Sequence, residues 1–305
     1  MKIDYYLPEQ ILSNSDLVRE FPEWTQEKIL KKTGISERRV VAEDQTALDL
    51  GFCAAQKLFS EFAIDKTQID YLLLCTQSSQ YRLPSTSCLL HERIGLRKDV
   101  GALTFDHGCS GFIYGLSLAK GVISGGMAKK VLLVTSETYT KYIAEDDKST
   151  RTLFGDGAAA ILIDEESAAK IGAFSFGTDG SGADKLIVRD GRLFMDGPEI
   201  FNFTLDIVPK TIDEVLLKNG LTRDAIDLYV FHQANKFMLD TIRKVNGLPR
   251  DRFYVNLENV GNTVSSTIPI ALKQLDECGR LKAGMKVMLM GFGVGLSWGA
   301  TVVRI

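Results

Sequence analysis

A single cysteine, Cys109, lies in the stretch FDHGCSGFIYGLSLAKG, where an apolar, strand-like run gives way to a helical pattern opened by Ser110 and Gly111. This spacing predicts a thiol at the amino terminus of a helix. Unpaired backbone N–H groups and the helix dipole favour a thiolate there, so we expect the pKa of Cys109 to lie below its usual value of about 8.5. Such a thiol is a candidate nucleophile, although most free cysteines are buried structural residues. We interpret the other four cysteines as structural residues of this kind: Cys53, Cys75, Cys88 and Cys278.

A cysteine nucleophile needs polar partners, and the chain has only three histidines. His232 follows the strand-like run LYVF in the sequence FHQAN, and a strand end can deliver a side chain into a cleft. Asn262 lies in NVGNTVSSTIP, a turn before a helical pattern, where an asparagine alone would usually cap the helix. Together with Cys109 these residues form a candidate catalytic set. His91 and His107 are interpreted as structural.

The composition limits the classes of function. The chain has 305 residues, of which 45% are hydrophobic and 25% are charged, as in ordinary globular proteins. A net charge of −3 provides no overall basic field, so neither nucleic acid nor an anionic membrane is expected as a partner. Without an apolar signal core or a membrane-spanning run, we expect a cytoplasmic protein. Five cysteines without a C-x-x-C pair argue against disulfides and against a bound metal.

Two segments of the chain recur in the same order and at nearly the same offset. IDKTQIDYLLL, from residue 64, resembles LTRDAIDLYVF, from residue 221, and KKVLLVTSE, from residue 129, resembles MKVMLMGFG, from residue 285. This repetition predicts two duplicated halves, each of domain size. The predicted domains are residues 1–163, with the cysteine, and residues 164–305, with the histidine and the asparagine.

Each predicted half alternates helical and strand periods, which indicates a layered α/β architecture. Helices are predicted over residues 47–62, 110–125, 205–219 and 267–278, and strands over residues 69–76, 100–105, 131–135, 228–232 and 287–290.

Several motifs, in order, resemble the β-ketoacyl-acyl carrier protein synthase III family of thiolase-like condensing enzymes: GCSGF, FGDGAAA, HQAN, GNTVSSTIP and LSWGATVVRI. The resemblance covers nearly the whole chain. It implies a five-layered αβαβα fold of two duplicated halves and a homodimer. It also implies that Cys109 is acylated, that His232 and Asn262 bind a malonyl thioester, and that the backbone amides of Cys109 and Val294 form an oxyanion hole.

The resemblance also assigns substrate-binding positions, at some of which this chain departs from the family. Asn235 of HQAN is one such position. Lys32 precedes Thr33 where the family has an arginine that holds coenzyme A phosphates, and Trp24 lies further upstream than the family's tryptophan. Lysine lacks the planar fork of arginine, so altered recognition of coenzyme A is expected. Lys148 likewise replaces an arginine, and Leu83 replaces a partner-chain phenylalanine that often shapes the acyl pocket, which suggests a different primer.

Basic residues cluster after HQAN and predict a docking surface for an acidic acyl carrier protein. Lys236, Arg243 and Lys244 form its core, and Arg250 and Arg252 follow. A solvated helix face is an equally good explanation.

The leading hypothesis is a decarboxylative Claisen condensation of an acyl thioester primer with a malonyl thioester, through an acyl-cysteine. Acyl carrier protein and coenzyme A thioesters are the expected partners and substrates, with no other cofactor. Acyl transfer from the cysteine to an alcohol or amine is the close alternative. A cysteine hydrolase and a non-catalytic acyl or carrier-protein binding module are further alternatives. The glycine run GFGVGLSWG does not predict a dinucleotide site, because only one more strand follows it.

Overall fold

Thirteen strands and ten helices form the chain, and the computed structural model describes all of residues 1–305. The strands are β1 (Lys2–Tyr6), β2 (Gln10–Ser13), β3 (Glu37–Val40), β4 (Tyr71–Cys75), β5 (Gly101–Phe105), β6 (Lys130–Glu137), β7 (Gly157–Asp164), β8 (Ile171–Thr178), β9 (Leu186–Arg189), β10 (Arg192–Met195), β11 (Leu228–Phe231), β12 (Lys286–Gly293) and β13 (Ser297–Arg304). The helices are α1 (Asn14–Glu20), α2 (Gln26–Thr33), α3 (Ala47–Glu61), α4 (Thr86–Ile94), α5 (Gly111–Ser124), α6 (Lys148–Arg151), α7 (Glu165–Ala169), α8 (Gly197–Lys218), α9 (Lys236–Val245) and α10 (Thr267–Glu277). None of the helices has the length and apolar character needed to cross a membrane.

The two large sheets share one topology. The five-stranded sheet has the order β1-β7-β6-β4-β5, and the four-stranded sheet has the order β8-β13-β12-β11. Strands β6 and β4 are parallel in the larger sheet, and strands β12 and β11 are parallel in the smaller one. The pairs β6-β7 and β7-β1 of the larger sheet are antiparallel, as are the pairs β12-β13 and β13-β8 of the smaller sheet. The sheets therefore match strand for strand, apart from β5, which has no counterpart of full strand length. The domain boundary after residue 163 stays a prediction.

Alternating side chains of the buried strands separate the layers. In β4, Leu72 and Leu74 belong to the apolar cluster under α3 and α4, whereas Leu73 belongs to the cluster between the two sheets. The strand period of two explains this division, because successive side chains point to opposite faces. Helices α5 and α10 fill the space between the sheets, and α8 covers the far face of the smaller sheet, with α9 packed beside it.

All nine elements predicted from the sequence are present, with shifted ends. The largest shift is in α8, which was expected from residue 205 but begins at Gly197. The side chain of Asp196 accepts a hydrogen bond from the Glu199 N–H and Pro198 lies in the first turn, both of which favour a helix start at this point.

Candidate active site

A cavity of about 580 Å³ brings the three candidate catalytic residues together. Cys109, His232 and Asn262 all lie on its wall, although each comes from a different element. The remaining wall is largely apolar, and its lining includes Phe154, Leu186, Met195, Ile200, Phe201, Phe237, Met238 and Phe292.

Cys109 lies in the short connection between β5 and α5 and is buried. As predicted, it precedes a helix, which begins two residues later at Gly111. The end of β12 passes directly beside the thiol: an ideal Cβ on Gly293 would lie 2.9 Å from the sulfur of Cys109. Cys109, the candidate nucleophile, therefore lies where the end of β12 in the smaller sheet meets the segment that follows β5 in the larger sheet.

Burial reverses the expected shift of the cysteine pKa. Removal from water raises the pKa of the Cys109 thiol to about 12, and the nearby carboxyl of Glu137 acts in the same direction. The backbone N–H groups of Val294 and of Cys109 itself favour the thiolate, but they do not outweigh burial. The prediction of a lowered pKa was therefore wrong for the free protein. These two amides are the pair to which the family resemblance assigns an oxyanion hole.

His232 follows β11 and is held from two sides. Its backbone N–H donates to the carbonyl of Met290 at 2.8 Å, and its Nδ1 lies 2.7 Å from the hydroxyl of Thr267. The ring of Phe292 packs edge-on against the imidazole, with 5.8 Å between centroids. Burial lowers the pKa of His232 to about 3, so the ring is neutral at physiological pH. Its Nε2 is left as the ring nitrogen available to the cavity.

Asn262 is fixed by backbone and side-chain hydrogen bonds. Its backbone N–H donates to Leu153, and its carbonyl accepts from Gly155 of the FGDG motif. Its side-chain oxygen accepts from the Val264 N–H at 2.9 Å. Because that oxygen is occupied, the NH₂ group is the part of the side chain that is free to donate to a ligand.

The predicted substrate-binding residues divide into two groups. Lys32 and Asn235 line the cavity, and the Lys32 ammonium lies 5.2 Å from the ring centroid of Trp24. Lys148 is not among the lining residues, although the adjacent Ser149 is, and its ammonium is paired with Glu23, so its role in substrate binding stays a prediction.

Leu83 likewise lies away from the cavity of its own chain. It is 81% exposed in the connection between β4 and α4. Any role for Leu83 in an acyl pocket therefore requires a second subunit.

The predicted docking cluster is only partly free. Lys236 and Lys244 are exposed on α9. Arg243 is half-buried, and its guanidinium donates to the Leu248 carbonyl at 3.3 Å. Arg252 donates to two backbone carbonyls near the start of β11. Two of the five basic residues thus have structural partners.

Sequence reasoning missed the hairpin and helix start that supply much of the apolar wall. Strands β9 and β10 flank Asp190 and Gly191, whose φ angles of 49° and 75° are those of a two-residue hairpin turn. The Asp-Gly pair between apolar residues is a hairpin signal that could have located this element. Phe201, just beyond it in α8, stacks on Phe237 of α9 at the cavity wall.

A buried carboxyl group behind the cysteine was also missed. Glu137, the last residue of β6, accepts hydrogen bonds from the Gln77 N–H and from the hydroxyls of Ser78 and Ser265. Ser265 belongs to the same turn as Asn262, so Glu137 ties that turn to the first sheet. Burial raises the pKa of Glu137 to about 8.

Comparisons with known proteins identify the family. The family model described as 3-oxoacyl-[acyl-carrier-protein (ACP)] synthase III matches residues 105–180, and the model for the C-terminal part of the same enzymes matches residues 216–305. The chain is 34% identical to beta-ketoacyl-[acyl-carrier-protein] synthase III 2 of Halalkalibacterium halodurans, over 99% of this chain and 95% of that protein.

Solved structures confirm the predicted fold class. A crystal structure of a 3-oxoacyl-(acyl-carrier-protein) synthase III superposes with a TM-score of 0.97 at 45% identity, covering 99% of this chain and 98% of the other. The beta-ketoacyl-[acyl carrier protein] synthase III of Thermus thermophilus gives a TM-score of 0.92 at 34% identity, with coverage of 99% and 98%.

The raised pKa of Glu137 predicts a pH-dependent contribution to stability. The folded state binds the proton more tightly than the unfolded chain, whose carboxyl titrates near 4.5, so this contribution is lost as pH rises from about 4.5 to about 8. Relative to Glu137→Gln, the wild-type free energy of unfolding should fall by at most about 1.4 kcal/mol per pH unit in this window. Urea unfolding of both proteins across the window measures the difference. Parallel pH curves would contradict the prediction.

Proposed function

The chain belongs to the 3-oxoacyl-[acyl-carrier-protein] synthase III family, and we propose that it condenses an acyl thioester primer with a malonyl thioester in fatty acid or related acyl-chain biosynthesis. The observation that carries the proposal is the single cavity on which Cys109, His232 and Asn262 meet, with two backbone amides directed at the sulfur. We assign the protein to the transferases on the same basis, and more finely to the acyltransferases.

The first half-reaction acylates the cysteine. The Cys109 sulfur attacks the carbonyl carbon of the primer thioester, and its proton leaves with the departing thiol when the carbon–sulfur bond of the primer breaks. The backbone N–H groups of Cys109 and Val294 stabilise the oxyanion of the tetrahedral intermediate. Fixed donors of this kind are effective because they need no reorganisation during the reaction.

The second half-reaction forms the carbon–carbon bond. Asn262 Nδ2 and His232 Nε2 donate hydrogen bonds to the thioester oxygen of the malonyl group. The malonyl carboxylate leaves as carbon dioxide, and its bonding electron pair becomes the enolate. The enolate carbon attacks the acyl-cysteine, and the released Cys109 thiolate takes a proton from water. A neutral His232 suits this role, because it can donate without adding a charge that would bind the malonyl carboxylate.

The substrate class follows from the shape and lining of the cavity. An apolar wall with a few polar groups fits the arm of a coenzyme A or carrier-protein thioester, with no metal or further cofactor taking part. Lys32, beside Trp24 at the cavity, is our candidate for a phosphate contact. Acyl transfer to an alcohol or amine is the alternative and releases no carbon dioxide. Cysteine hydrolase and binding-module functions have no support in the family assignment.

Separate half-reactions should respond to separate substitutions. Cys109→Ala removes the thiol but keeps both donors, so acyl-enzyme should vanish while slow malonyl decarboxylation persists. Asn262→Asp keeps the oxygen that accepts from the Val264 N–H but removes the donor, so acylation should continue while condensation falls by about 10²-fold or more. Intact-mass spectrometry and carbon dioxide release measure the two steps. Failure of Asn262→Asp to be acylated would contradict this division, and product without carbon dioxide would indicate the alternative acceptor.

We also propose that Lys236 and Lys244 attract an acidic acyl carrier protein. Both are exposed on α9, next to the cavity residues Asn235 and Phe237. Reversing both to Glu should raise the KM for malonyl carrier protein by about 10-fold at low salt and leave kcat nearly unchanged, because rim charges act mainly on association. Lys98→Glu, at an exposed lysine away from the cavity, is the control. An unchanged KM in the double variant would rule out docking at this surface.

A homodimer is our proposal for the assembly. Strand β5 is an edge of the five-stranded sheet, and its residue Leu103 is 42% exposed, so this edge offers unpaired backbone groups and apolar surface for pairing with another chain. Leu103→Lys should shift the protein towards monomer in sedimentation velocity experiments. Val188→Lys, at a residue of the same 42% exposure on β9, should not change the assembly. A wild-type monomer at all concentrations would contradict the proposal.

A further inference from the structure

Two buried serine hydroxyl groups join the segments that lie on either side of the Cys109 sulfur. The Oγ of Ser110, the residue after Cys109, lies 2.8 Å from the Oγ of Ser297, the first residue of β13. Ser297 Oγ in turn donates a hydrogen bond to the carbonyl oxygen of Val294 at 2.7 Å. Both serines are buried, so their hydroxyl groups are committed to these protein partners rather than to water.

The number of protons fixes the direction of the two hydrogen bonds. A hydroxyl carries one proton, and Ser297 uses its proton on the Val294 carbonyl. Ser297 is therefore the acceptor in its contact with Ser110, and Ser110 is the donor. The Ser110 hydroxyl is free for this role, because Ser110 is the cap residue of α5 but its side chain makes no capping hydrogen bond. Donation thus runs from Ser110 through Ser297 to Val294.

Val294 is also held at its side chain and at the residue before it. An ideal Cβ on Gly108 would lie 2.4 Å from Cγ1 of Val294, so the valine side chain packs directly on the residue that precedes Cys109. Gly293 is paired with Ser297 in the sheet. The Val294 carbonyl, held by Ser297, is the third fixed point. Held in this way, Val294 directs its backbone N–H at the Cys109 sulfur.

We propose that Ser297, assisted by Ser110, is a positioning residue that holds the Val294 N–H in place for the oxygen of an acyl group on Cys109. This inference rests on the proposed function for its effect on rate, but the placement of the amide is a property of the free protein. The amides of Cys109 and Val294 come from different halves of the chain, so their separation depends on contacts between the halves. The Ser110–Ser297 hydrogen bond is such a contact directly beside both amides. Fixed donors stabilise an oxyanion only where they are correctly placed.

Selective isotope labelling tests the placement of the amide in the free protein. The dipeptide Gly-Val occurs only twice in the chain, at Gly121–Val122 and at Gly293–Val294. Glycine labelled with carbon-13 at the carbonyl and valine labelled with nitrogen-15 therefore give two peptide signals, and Val122 on α5 is the internal reference. In Ser297→Ala the Val294 signal should shift and broaden, and its amide hydrogen should exchange with solvent about 10-fold faster, as expected for a lost buried hydrogen bond. A Val294 signal and exchange rate equal to those of the wild type would overturn the proposal.

Kinetics should separate the steps that use the Val294 amide from the step that does not. Ser297→Ala should lower kcat for acylation and for condensation by about 10-fold and leave the KM for the primer within about twofold, because oxyanion donors act mainly on the transition state. Malonyl decarboxylation uses the donors of His232 and Asn262, so its rate should be equal in Cys109→Ala and in Cys109→Ala/Ser297→Ala. Ser297→Thr retains the hydroxyl and should restore both steps.

Ser110→Ala tests the other end of the hydroxyl pair, and it carries the test alone if Ser297→Ala does not fold. It leaves the hydrogen bond from Ser297 to Val294 in place, so acylation should fall by only about threefold. The double variant should be no slower than Ser297→Ala, because both hydroxyls act through one carbonyl. Ser175→Ala is the matched control: Ser175 is buried on β8, beside β13, and its hydroxyl donates to Glu214 at 2.6 Å. This control should keep the wild-type Val294 signal and acylation rate.

The remaining outcomes distinguish this proposal from the proposed function. Equal losses of acylation, condensation and decarboxylation in the Ser297→Ala proteins would show a merely structural serine and overturn the positioning role. Losses in the double variant that multiply those of the two single variants would likewise contradict a shared action of Ser110 and Ser297. A Val294 amide that depends on Ser297, in a protein that does not condense, would instead refute only the proposed function.

Discussion

The close approach of the Cys109 segment to strand β12 is the constraint on which the candidate site depends. An ideal Cβ on Gly291 would lie 2.6 Å from the carbonyl oxygen of Cys109 and 2.7 Å from the Cα of Ser110. Both are backbone atoms, so no side chain could move aside to relieve such a contact. Glycine at this position lets the two sheets meet at the cysteine, and the same approach carries the Val294 amide to the sulfur.

Exclusion of water by this contact sets the electrostatics of the site. Burial raises the pKa of Cys109 to about 12 and that of Glu137 to about 8, and it lowers the pKa of His232 to about 3. All three shifts favour the neutral form. The site therefore offers a ligand fixed hydrogen-bond donors rather than preformed charges. Developing oxyanions are stabilised strongly in such surroundings, because no water competes for the donors.

The sequence predicted those features that depend on neighbouring residues along the chain. Strand and helix periods located the main elements, and motifs at strand ends and turns marked Cys109, His232 and Asn262, which the structure places on one cavity. The sign of the cysteine pKa shift was wrong, because the helix dipole is a local effect whereas burial is produced by the whole fold. The pairing of Lys148 with Glu23 could not be predicted for the same reason, because the two residues lie far apart in the chain. The contacts of Thr267 with His232 and of Glu137 with Ser265 join distant segments and had no local signal.

The turn from Asn262 to Thr267 connects these distant contacts into one unit. It comes from the second half of the chain, yet it is held by Glu137 and by the FGDG motif, both from the first half. Asn262 lies on the turn and His232 is contacted by it, so both residues are positioned by the half that carries Cys109. Cys109 lies in one half of the chain and His232 and Asn262 lie in the other, but the position of each depends on contacts with the opposite half. A change in the packing of the first sheet therefore reaches Asn262 and His232 through Ser265, and a change in the turn reaches the wall behind Cys109 through Glu137.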